Sequence, residues 1–211
     1  MKVNEIKCII NTNYAMTQGR IIVSKSILPT SVDLTPRFEK MKLPTRPQGK
    51  RGTCSVFTFV GALEYAVAVN KSKGTLLSVE FANWASHKAA DRKQDGAFFS
   101  ELWDGYQEYG ICEEKDLPYQ DEFDVDLQPS DEIIKKAEKV KSTPVKYHWI
   151  KEWDVETGLT EEHFQGIKET LANNYPVLGG FRWPKEAKWE DGVLQMSPPS
   201  KVFDGHCIVI S

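Results

Sequence analysis

The residues with the clearest potential for chemistry are Gln48 and Cys54, in the segment QGKRGTCSVFTFVGALEY. Cys54 stands at the start of an apolar run with helical character, and Gln48 precedes it in a glycine-containing loop. The N-terminus of a helix presents unpaired N–H groups and about half a positive charge, which favours a thiolate over a thiol. The pattern therefore indicates a nucleophilic cysteine. The alternative is an ordinary buried cysteine packed beside an apolar helix.

A nucleophilic cysteine needs a proton partner, and the chain has four histidines. His206 begins the apolar run HCIVIS directly after an Asp-Gly pair, and a histidine at the mouth of a strand can face a cleft. His87 and His163 lie in polar helical segments and are expected at the solvated surface, whereas the orientation of His148 is left open. His206 is therefore the candidate to stabilise the Cys54 thiolate and to protonate a leaving amine, although a histidine at a strand start is often only structural.

The composition describes a soluble globular chain of 211 residues with a net charge of −3, 40% hydrophobic and 27% charged. This balance offers no electrostatic reason for binding nucleic acid or an anionic membrane. No apolar run is long enough to span a bilayer, and no secretion signal begins the chain, so we expect a cytoplasmic protein. The cysteines are widely spaced without a C-x-x-C pair, which argues against zinc. Two disulfides are possible, but a reducing compartment disfavours them.

The first half of the chain has mostly helical character. The run from Cys54 to about Asn70 has almost no polar face, which predicts a central, buried helix. Ser78 and Ser130 are predicted N-caps of later helices, and Gly110 is predicted to end the helix between them. The preceding stretch, LPTSVDLTPRFEKMKLPTRPQGK, is predicted to be extended chain and loop.

After Pro144 the pattern changes to strands. VKYHWI, YPVLGGFRW and HCIVIS are predicted strands. Between the first two lies a predicted surface helix with Thr160 as its cap and a buried stripe of Phe164, Ile167 and Leu171.

Helices followed by strands favour an α+β fold with two lobes. We expect a helical lobe at about 45–140 and a β lobe made of about 28–44 plus 141–211. Residues 1–27 are treated as an N-terminal extension with two β-like runs, KCIINTNY and RIIVSKS. The sequence leaves open whether this segment forms strands, is a simple extension or is a remnant pro-segment. A cleft between two lobes is a common place for a site.

The order of these segments resembles that of papain-like (cathepsin-type) cysteine peptidases. QGKRGTCSVFTFVGALEY is a variant of the family's cysteine signature. LPTSVDL resembles the mature N-terminus, LSVEFANW the start of the second helix, and DGAFFSELWDGYQEYGICEEKDLPY the third helix and the segment after it. NNYPVLGGF and DGHCIVIS resemble the strands that lead to the catalytic histidine. The resemblance covers residues 28–211 and implies a two-lobe α+β fold, with a central helix starting at Cys54 and an antiparallel, sheet-like or barrel-like β lobe.

The resemblance also implies roles for individual residues. Cys54 would be the nucleophile and His206 its proton partner. Gln48 would donate its side-chain amide to the oxyanion, together with the backbone N–H of Cys54. Gly96 would lie where the substrate backbone pairs along the cleft. The family needs no metal and no cofactor, and its partner is a peptide or protein substrate.

Three positions depart from the family pattern. Arg51 stands where secreted members have a disulfide cysteine, as in intracellular bacterial and archaeal relatives, which supports a reducing compartment. Ser55 stands where the family usually has a tryptophan after the nucleophile, so the packing of that tryptophan near the site is lost. The chain stops at Ser211, before the family's Asn-Ser-Trp-Gly segment, whose Asn orients the imidazole. We therefore expect a truncated or naturally shortened relative with reduced activity.

Two functions follow. One is a cysteine peptidase that works through a Cys54–His206 thiolate–imidazolium pair and an acyl-enzyme. The other is a catalytically impaired relative that binds a peptide or a partner without turnover, which Ser55 and the absent Asn segment favour. A zinc site on Cys54, His206 and Cys207 is disfavoured, because adjacent residues of a strand are expected to point to opposite faces. Substrate preference and oligomeric state are not determined by the sequence.

Overall fold

A computed structural model of the chain describes residues 3–11, 16–17, 20–21, 28–71, 73–141, 143–152, 154, 156–195 and 197–211. The helices in this part are α1 (Thr35–Lys40), α2 (Cys54–Lys71), α3 (Val79–Ala90), α4 (Phe99–Tyr109), α5 (Asp131–Lys141) and α6 (Glu161–Ala172). The strands are β1 (Val3–Asn11), β2 (Met16–Thr17), β3 (Arg20–Ile21), β4 (Val145–Lys151), β5 (Val177–Pro184), β6 (Trp189–Glu190), β7 (Val193–Leu194) and β8 (Val202–Ile210). The predicted α+β class is confirmed.

The main sheet has four strands in the order β4–β1–β5–β8, and every neighbouring pair is antiparallel. The segment expected to be an extension thus supplies an interior strand, because β1 pairs with β4 on one side and β5 on the other. Cys8 and Ile9 of β1 are 1% and 0% exposed. The second β-like run is described only at β3, and its remainder lies outside the described residues.

Helix α2 is the buried centre of the molecule, as its apolar sequence predicts. The side chains of Val56, Phe59, Val60, Ala62, Leu63 and Ala66 are all 0% exposed. Burying one large apolar side chain stabilises a fold by about 1.5–3 kcal/mol, so this helix is a major source of core stability. It also contacts the sheet: a Cβ built on Gly61 would lie 3.7 Å from Val209 of β8.

Local capping sets the helix ends where the sequence predicts them. The Ser78 hydroxyl oxygen accepts a hydrogen bond from the Phe81 N–H at 2.9 Å and starts α3. Gly110 ends α4 with φ of 75°, a value that favours glycine. Thr160 caps α6 by accepting from the His163 N–H at 3.2 Å. These bonds satisfy backbone groups that a helix end leaves unpaired.

Two sequence predictions in the scaffold are wrong. The stretch predicted as loop contains α1, which Pro36 in its first turn helps to start. This helix lies within residues 28–44, the part of the chain expected in the β lobe. Phe164, predicted to be buried, is 49% exposed, with the Lys168 ammonium 4.7 Å from its ring. The buried stripe of α6 is therefore narrower, since Ile167 faces Val177 of the sheet instead.

None of the helices in the described ranges is both long enough and apolar enough to cross a bilayer.

Candidate active site

Cys54 is the first residue of α2. The Thr53 carbonyl accepts the N–H of Phe57 at 3.0 Å, which makes Thr53 the N-cap. The backbone N–H of Cys54 consequently has no partner within the helix. The partly exposed thiol lies at the positive end of the helix dipole.

His206 and Cys207 of β8 both act on the pKa of the Cys54 thiol. The hydrogen bond from the Cys207 thiol contributes most to lowering the pKa of Cys54 from 9.0 to about 4, and the hydrogen bond and charge of His206 add to it. Burial acts in the opposite direction, because it disfavours a charged sulfur. The surroundings of Cys54 therefore favour its thiolate form.

His206 and Cys207 are neighbours on strand β8, and Cys207 packs against the apolar core around α2. The strand is irregular at this point: Gly205 has φ of 67°, and the pairing of β5 with β8 shifts between Phe181 and Trp183. Such irregularities re-aim side chains at the edge of a sheet. The Trp183 ring meets the His206 imidazole edge to face, with centroids 4.7 Å apart.

Gln48 lies in the same loop as Cys54. Its side-chain Nε2 donates to the Arg51 carbonyl at 2.6 Å. The Tyr119 hydroxyl donates to the Gln48 carbonyl at 3.0 Å and lies 2.7 Å from the Thr53 hydroxyl. These contacts hold the loop against the helical lobe, formed by α2 to α5, and orient the Gln48 amide.

Arg51 carries a buried ion-pair network that the sequence did not predict. Its guanidinium binds Glu80 of α3 at 2.6 Å, Asp95 at 2.9 Å and the Gln120 carbonyl at 2.8 Å. Burial opposes ionisation of Asp95, but hydrogen bonds from Arg51 outweigh it and hold the pKa of Asp95 below its ordinary value. The position of the lost disulfide cysteine thus ties the Cys54 loop to α3 and to the Asp95 segment by charge.

Gly96 lies beside the loop that precedes Cys54. Its φ is 76°, and a Cβ at this position would collide with the Gly52 carbonyl oxygen. The Gly96 N–H donates to Asn83 and Asp95 at 3.2 and 3.0 Å, and its carbonyl accepts from His87 Nε2 at 3.0 Å. Both backbone groups already have partners within the protein. The expectation of a solvated His87 is wrong, because this side chain is partly buried and burial lowers its pKa.

The two remaining histidines lie elsewhere. His148 belongs to β4, at the opposite edge of the sheet from β8. His163 belongs to the cap of α6, where its Nδ1 accepts the Thr160 N–H at 3.3 Å. Within the residues that the structure describes, no group of three or more His, Cys, Asp or Glu side chains is arranged to hold a metal ion.

Two cavities flank the site without reaching the thiol. One of about 490 Å³ lies between α3 and residues 123–128, and one of about 340 Å³ lies between α2, residues 35–46 and the end of β8. Neither is lined by Cys54 or His206. The Cys54–His206 contact therefore lies outside both cavities.

Structural comparison places this architecture among known proteases. Xylellain, a cysteine protease from Xylella fastidiosa, matches 99% of this chain and 79% of its own, with a TM-score of 0.65 and 18% identity. Digestive procathepsin L 3 of the Tenebrio molitor larval midgut matches 95% of this chain and 60% of its own, with a TM-score of 0.56 and 17% identity. At these identities the likeness establishes the fold.

Sequence comparison establishes the family. No curated protein sequence matches the chain significantly. The profile of the papain family cysteine proteases, however, matches residues 28–210, which include all of the helical lobe and three of the four strands of the main sheet. The chain therefore belongs to the papain family of cysteine proteases.

Proposed function

We propose that the protein hydrolyses peptide bonds through a thiolate–imidazolium pair formed by Cys54 and His206. The observation that carries this proposal is the position of Cys54 at the N-terminus of α2, where the hydrogen bond and charge of His206 help to lower its pKa. The helix end and the imidazolium both favour the thiolate, which is the nucleophilic form of cysteine. A base within hydrogen-bond reach of a nucleophile is the geometry that covalent catalysis requires.

In the first half of the reaction, Cys54 Sγ attacks the carbonyl carbon of the peptide bond. The negative charge moves to the carbonyl oxygen, which the backbone N–H of Cys54 and the Gln48 amide stabilise. Because an amide NH₂ has two donors, Gln48 can keep its bond to the Arg51 carbonyl and still donate to the oxyanion. His206 then gives its proton to the leaving amine, the C–N bond breaks, and a thioester remains on Cys54.

In the second half, His206 removes a proton from water as the water oxygen attacks the thioester carbon. The C–S bond breaks, the carboxylic product leaves, and the thiolate and imidazolium are restored. Atoms and charges balance without a metal or a cofactor.

The substrate in this proposal is an extended peptide that lies along the surface between the start of α2 and β8. Gly96 forms a wall of this groove. Its N–H is already bonded to Asn83 and Asp95, so Gly96 offers the peptide only the second lone pair of its carbonyl.

Alkylation of the thiol tests the ion pair directly. With a Cys54 pKa of about 4, iodoacetamide should label Cys54 almost equally fast at pH 5.5 and pH 7.5, and more slowly only as the pH falls through 4. A thiol with an ordinary pKa near 8.5 would react about 100-fold more slowly at the lower pH. Peptide mapping by mass spectrometry identifies the labelled residue.

Variants separate the proposal from its alternative. His206→Ala should slow the labelling of Cys54 at pH 5.5, because its hydrogen bond and charge are lost, whereas His163→Ala, changed in the cap of α6, should not. A fluorogenic peptide reports turnover, which Cys54→Ala should abolish. If Cys54 is labelled no faster than glutathione, the proposed thiolate–imidazolium pair is contradicted. Rapid labelling without any peptide hydrolysis would favour the impaired, peptide-binding relative.

A further inference from the structure

Trp183 of β5 is in ring contact with the histidine of the proposed mechanism. Its ring and the His206 imidazole lie with their centroids 4.7 Å apart and their planes inclined by 71°. Aromatic rings favour this steeply tilted arrangement over a face-to-face sandwich. The reaction proposed above gives Trp183 no part, so the purpose of this contact is open.

The pairing of β5 with β8 brings the two rings together. Phe181 of β5 is directly opposite His206 of β8, and Trp183 lies two residues further along β5. Side chains two apart share a face of a strand, so Trp183 is the diagonal neighbour of His206 across the two strands. Aromatic side chains are long enough to reach such a diagonal neighbour.

The backbone around Trp183 is held on both sides. Trp183 pairs with Phe203 of β8, and the next residue, Pro184, is buried. The Lys185 N–H then donates to the Lys201 carbonyl at 2.9 Å. Trp183 is therefore presented to His206 from an anchored part of the ribbon that β5 and β8 form.

The backbone alone does not set the orientation of the imidazole. His206 directly follows Gly205, which has φ of 67° and lies where the pairing with β5 shifts. The torsion that turns an imidazole about its Cβ–Cγ bond has a broad distribution. A proton partner acts only when its ring nitrogen points at the group that it serves. A second ring packed against the imidazole restricts this rotation.

Trp183 differs in burial from its neighbour on the same face. Phe181 is 5% exposed and packs with Ile167 and Val177 in the core beneath α6. Trp183 and His206, in contrast, are both only partly buried. Because Trp183 lies at the rim of the sheet and not in the core, loss of its ring should affect the imidazole more than the stability of the fold.

We propose that Trp183 is a positioning residue, whose ring holds the His206 imidazole in the orientation that serves the Cys54 sulfur. The proposal rests on the proposed function, because it takes His206 as the proton partner of Cys54. An aromatic contact requires no proton on either ring nitrogen, so it can persist while His206 gives up and regains its proton. Trp183 acts through His206 and makes no bond to the substrate.

Kinetics of the full chain, with a quenched fluorescent peptide that the unchanged protein hydrolyses, test the assignment. Trp183→Leu keeps an apolar side chain but removes the ring. We expect kcat to fall about 10- to 100-fold and KM to change by less than about twofold, because a misaimed proton partner slows the chemical steps and leaves peptide binding intact. Trp183→Phe, which keeps a ring at this position, should recover most of the lost kcat.

Nuclear magnetic resonance of protein with ¹³C-labelled histidine gives a readout that a merely structural role would not move. The ring current of Trp183 should displace the imidazole C–H signals of His206, which are assigned by their absence from His206→Ala. In Trp183→Leu these signals should move towards the positions of a free histidine. The signals of His148, on the opposite edge of the sheet, should stay in place.

Trp189→Leu is the matched control, because it makes the same change in β6, at a tryptophan that is 60% exposed. It should leave kcat, KM and the His206 signals unchanged. Circular dichroism and urea unfolding check that each variant folds. If Trp183→Leu does not fold, the kcat of Trp183→Phe and the His206 signals of the unchanged protein decide the question.

Several outcomes would overturn the proposal. Unchanged kcat in Trp183→Leu would do so, and a raised KM with unchanged kcat would assign Trp183 to substrate binding instead. An equal loss of kcat in Trp183→Leu and Trp183→Phe would show that the ring is not what matters. His206 signals at free-histidine positions in the unchanged protein would show that the two rings are not in contact.

The same measurements separate this proposal from the proposed function. If the unchanged protein hydrolyses peptides and Trp183→Leu does so equally well, only the positioning role is contradicted. If the unchanged protein hydrolyses no peptide, the proposed function fails. Displaced His206 signals, together with slower iodoacetamide labelling of Cys54 at pH 5.5 in Trp183→Leu, would then still support the positioning of His206 by Trp183.

Discussion

At the scale of single residues, partners and not burial decide the state of the active-site sulfur. Cys8 and Cys112 have pKa values raised to about 12 because apolar surroundings disfavour charge. Cys54 is also partly buried, yet its pKa falls to about 4. The difference lies in two hydrogen-bonding neighbours, Cys207 and His206, and in the end of α2. The same residue type thus has a raised pKa in the core and a lowered pKa at the junction of loop and helix.

Gln48 gives the first prediction, at the residue scale. Gln48→Ala removes one of the two oxyanion donors of the proposed mechanism. We expect kcat to fall by about 10²–10³ with little change in KM, because the donor acts on charge that develops only in the transition state. Steady-state hydrolysis of a fluorogenic peptide measures both constants.

The matched control is Gln128→Ala, an exposed glutamine outside the Cys54 loop, which should leave kcat unchanged. A Gln48→Ala protein with unchanged kcat and a raised KM would assign Gln48 to substrate binding instead.

At the scale of elements, an ion-pair network holds the start of α2 in place. Arg51 joins the loop before Cys54 to Glu80 on α3 and to Asp95, next to Gly96. The Arg51 guanidinium also stacks 4.7 Å from the Tyr119 ring, and Tyr119 in turn binds the Gln48 carbonyl. The guanidinium group of arginine is planar, so it can pair with a carboxylate through two hydrogen bonds and also stack on an aromatic ring.

The second prediction concerns this network. Arg51→Met leaves Glu80, which is 1% exposed, as a buried carboxylate without its cation. Removing one partner of a buried pair costs about 3–5 kcal/mol, so we expect the free energy of unfolding to fall by that amount in urea denaturation. Arg37→Met, at an exposed arginine of α1, should change it by no more than about 0.5 kcal/mol.

The pH dependence of stability checks the same network. The pKa of folded Asp95 lies below its ordinary value of 3.8, so its contribution is complete above that pH and is lost as the pH falls through the lower folded value. Arg51→Met should weaken this acid dependence. If Arg51→Met is as stable as the unchanged protein at neutral pH, the network makes no net contribution to the free energy of unfolding.

The third prediction concerns the packing of α3 on α4. A Cβ on Gly105 of α4 would lie 2.6 Å from backbone atoms of Ala85 and Ser86. Gly105→Ala should therefore force α3 and α4 apart and lower the free energy of unfolding by about 1–3 kcal/mol, the usual cost of overpacking.

Gly61→Ala is the matched control, because it makes the same change in another helix. Its Cβ would meet Val209 at 3.7 Å, an ordinary contact. Since alanine favours helix over glycine, this variant should be unchanged or more stable by up to about 1 kcal/mol. Equal effects of the two substitutions in thermal and urea unfolding would refute the packing argument.

At the scale of the whole molecule, the chain's beginning and end meet in one sheet. β1 lies between β4 and β5, and β5 pairs with β8, which carries His206. The strand that positions the histidine thus depends on a sheet whose interior includes the first described residues.

The fourth prediction tests this dependence. Ile9→Ala in β1 removes a side chain that is 0% exposed and should lower the free energy of unfolding by about 2–5 kcal/mol. Val125→Ala, at a valine that is 56% exposed, should change it by less than about 0.5 kcal/mol. We expect Ile9→Ala to unfold in a single urea transition, in which the helical signal and the tryptophan fluorescence are lost together. A negligible effect of Ile9→Ala would mean that β1 is not part of the core.

The elements predicted from sequence share a local cause. Ser78, Ser130, Gly110 and Thr160 mark helix ends through bonds to their own neighbours, so these ends can be predicted without knowledge of the fold. The missed features depend on distant partners. Phe164 follows the helical pattern of a buried residue, but it is 49% exposed and packs against the Lys168 ammonium.

The sequence by itself determined the family, the α+β class and the candidates Cys54, His206, Gln48 and Gly96, because motif order, capping and periodicity are written in neighbouring residues. Only the tertiary structure decided that β1 enters the sheet, that Arg51 pairs with Glu80 and Asp95, and that the Gly96 N–H has partners inside the protein. It alone packed β8, which carries His206 and Cys207, against α2, which begins at Cys54. Contacts between residues so far apart in the chain depend on how surfaces fit, and no local pattern in the sequence encodes that fit.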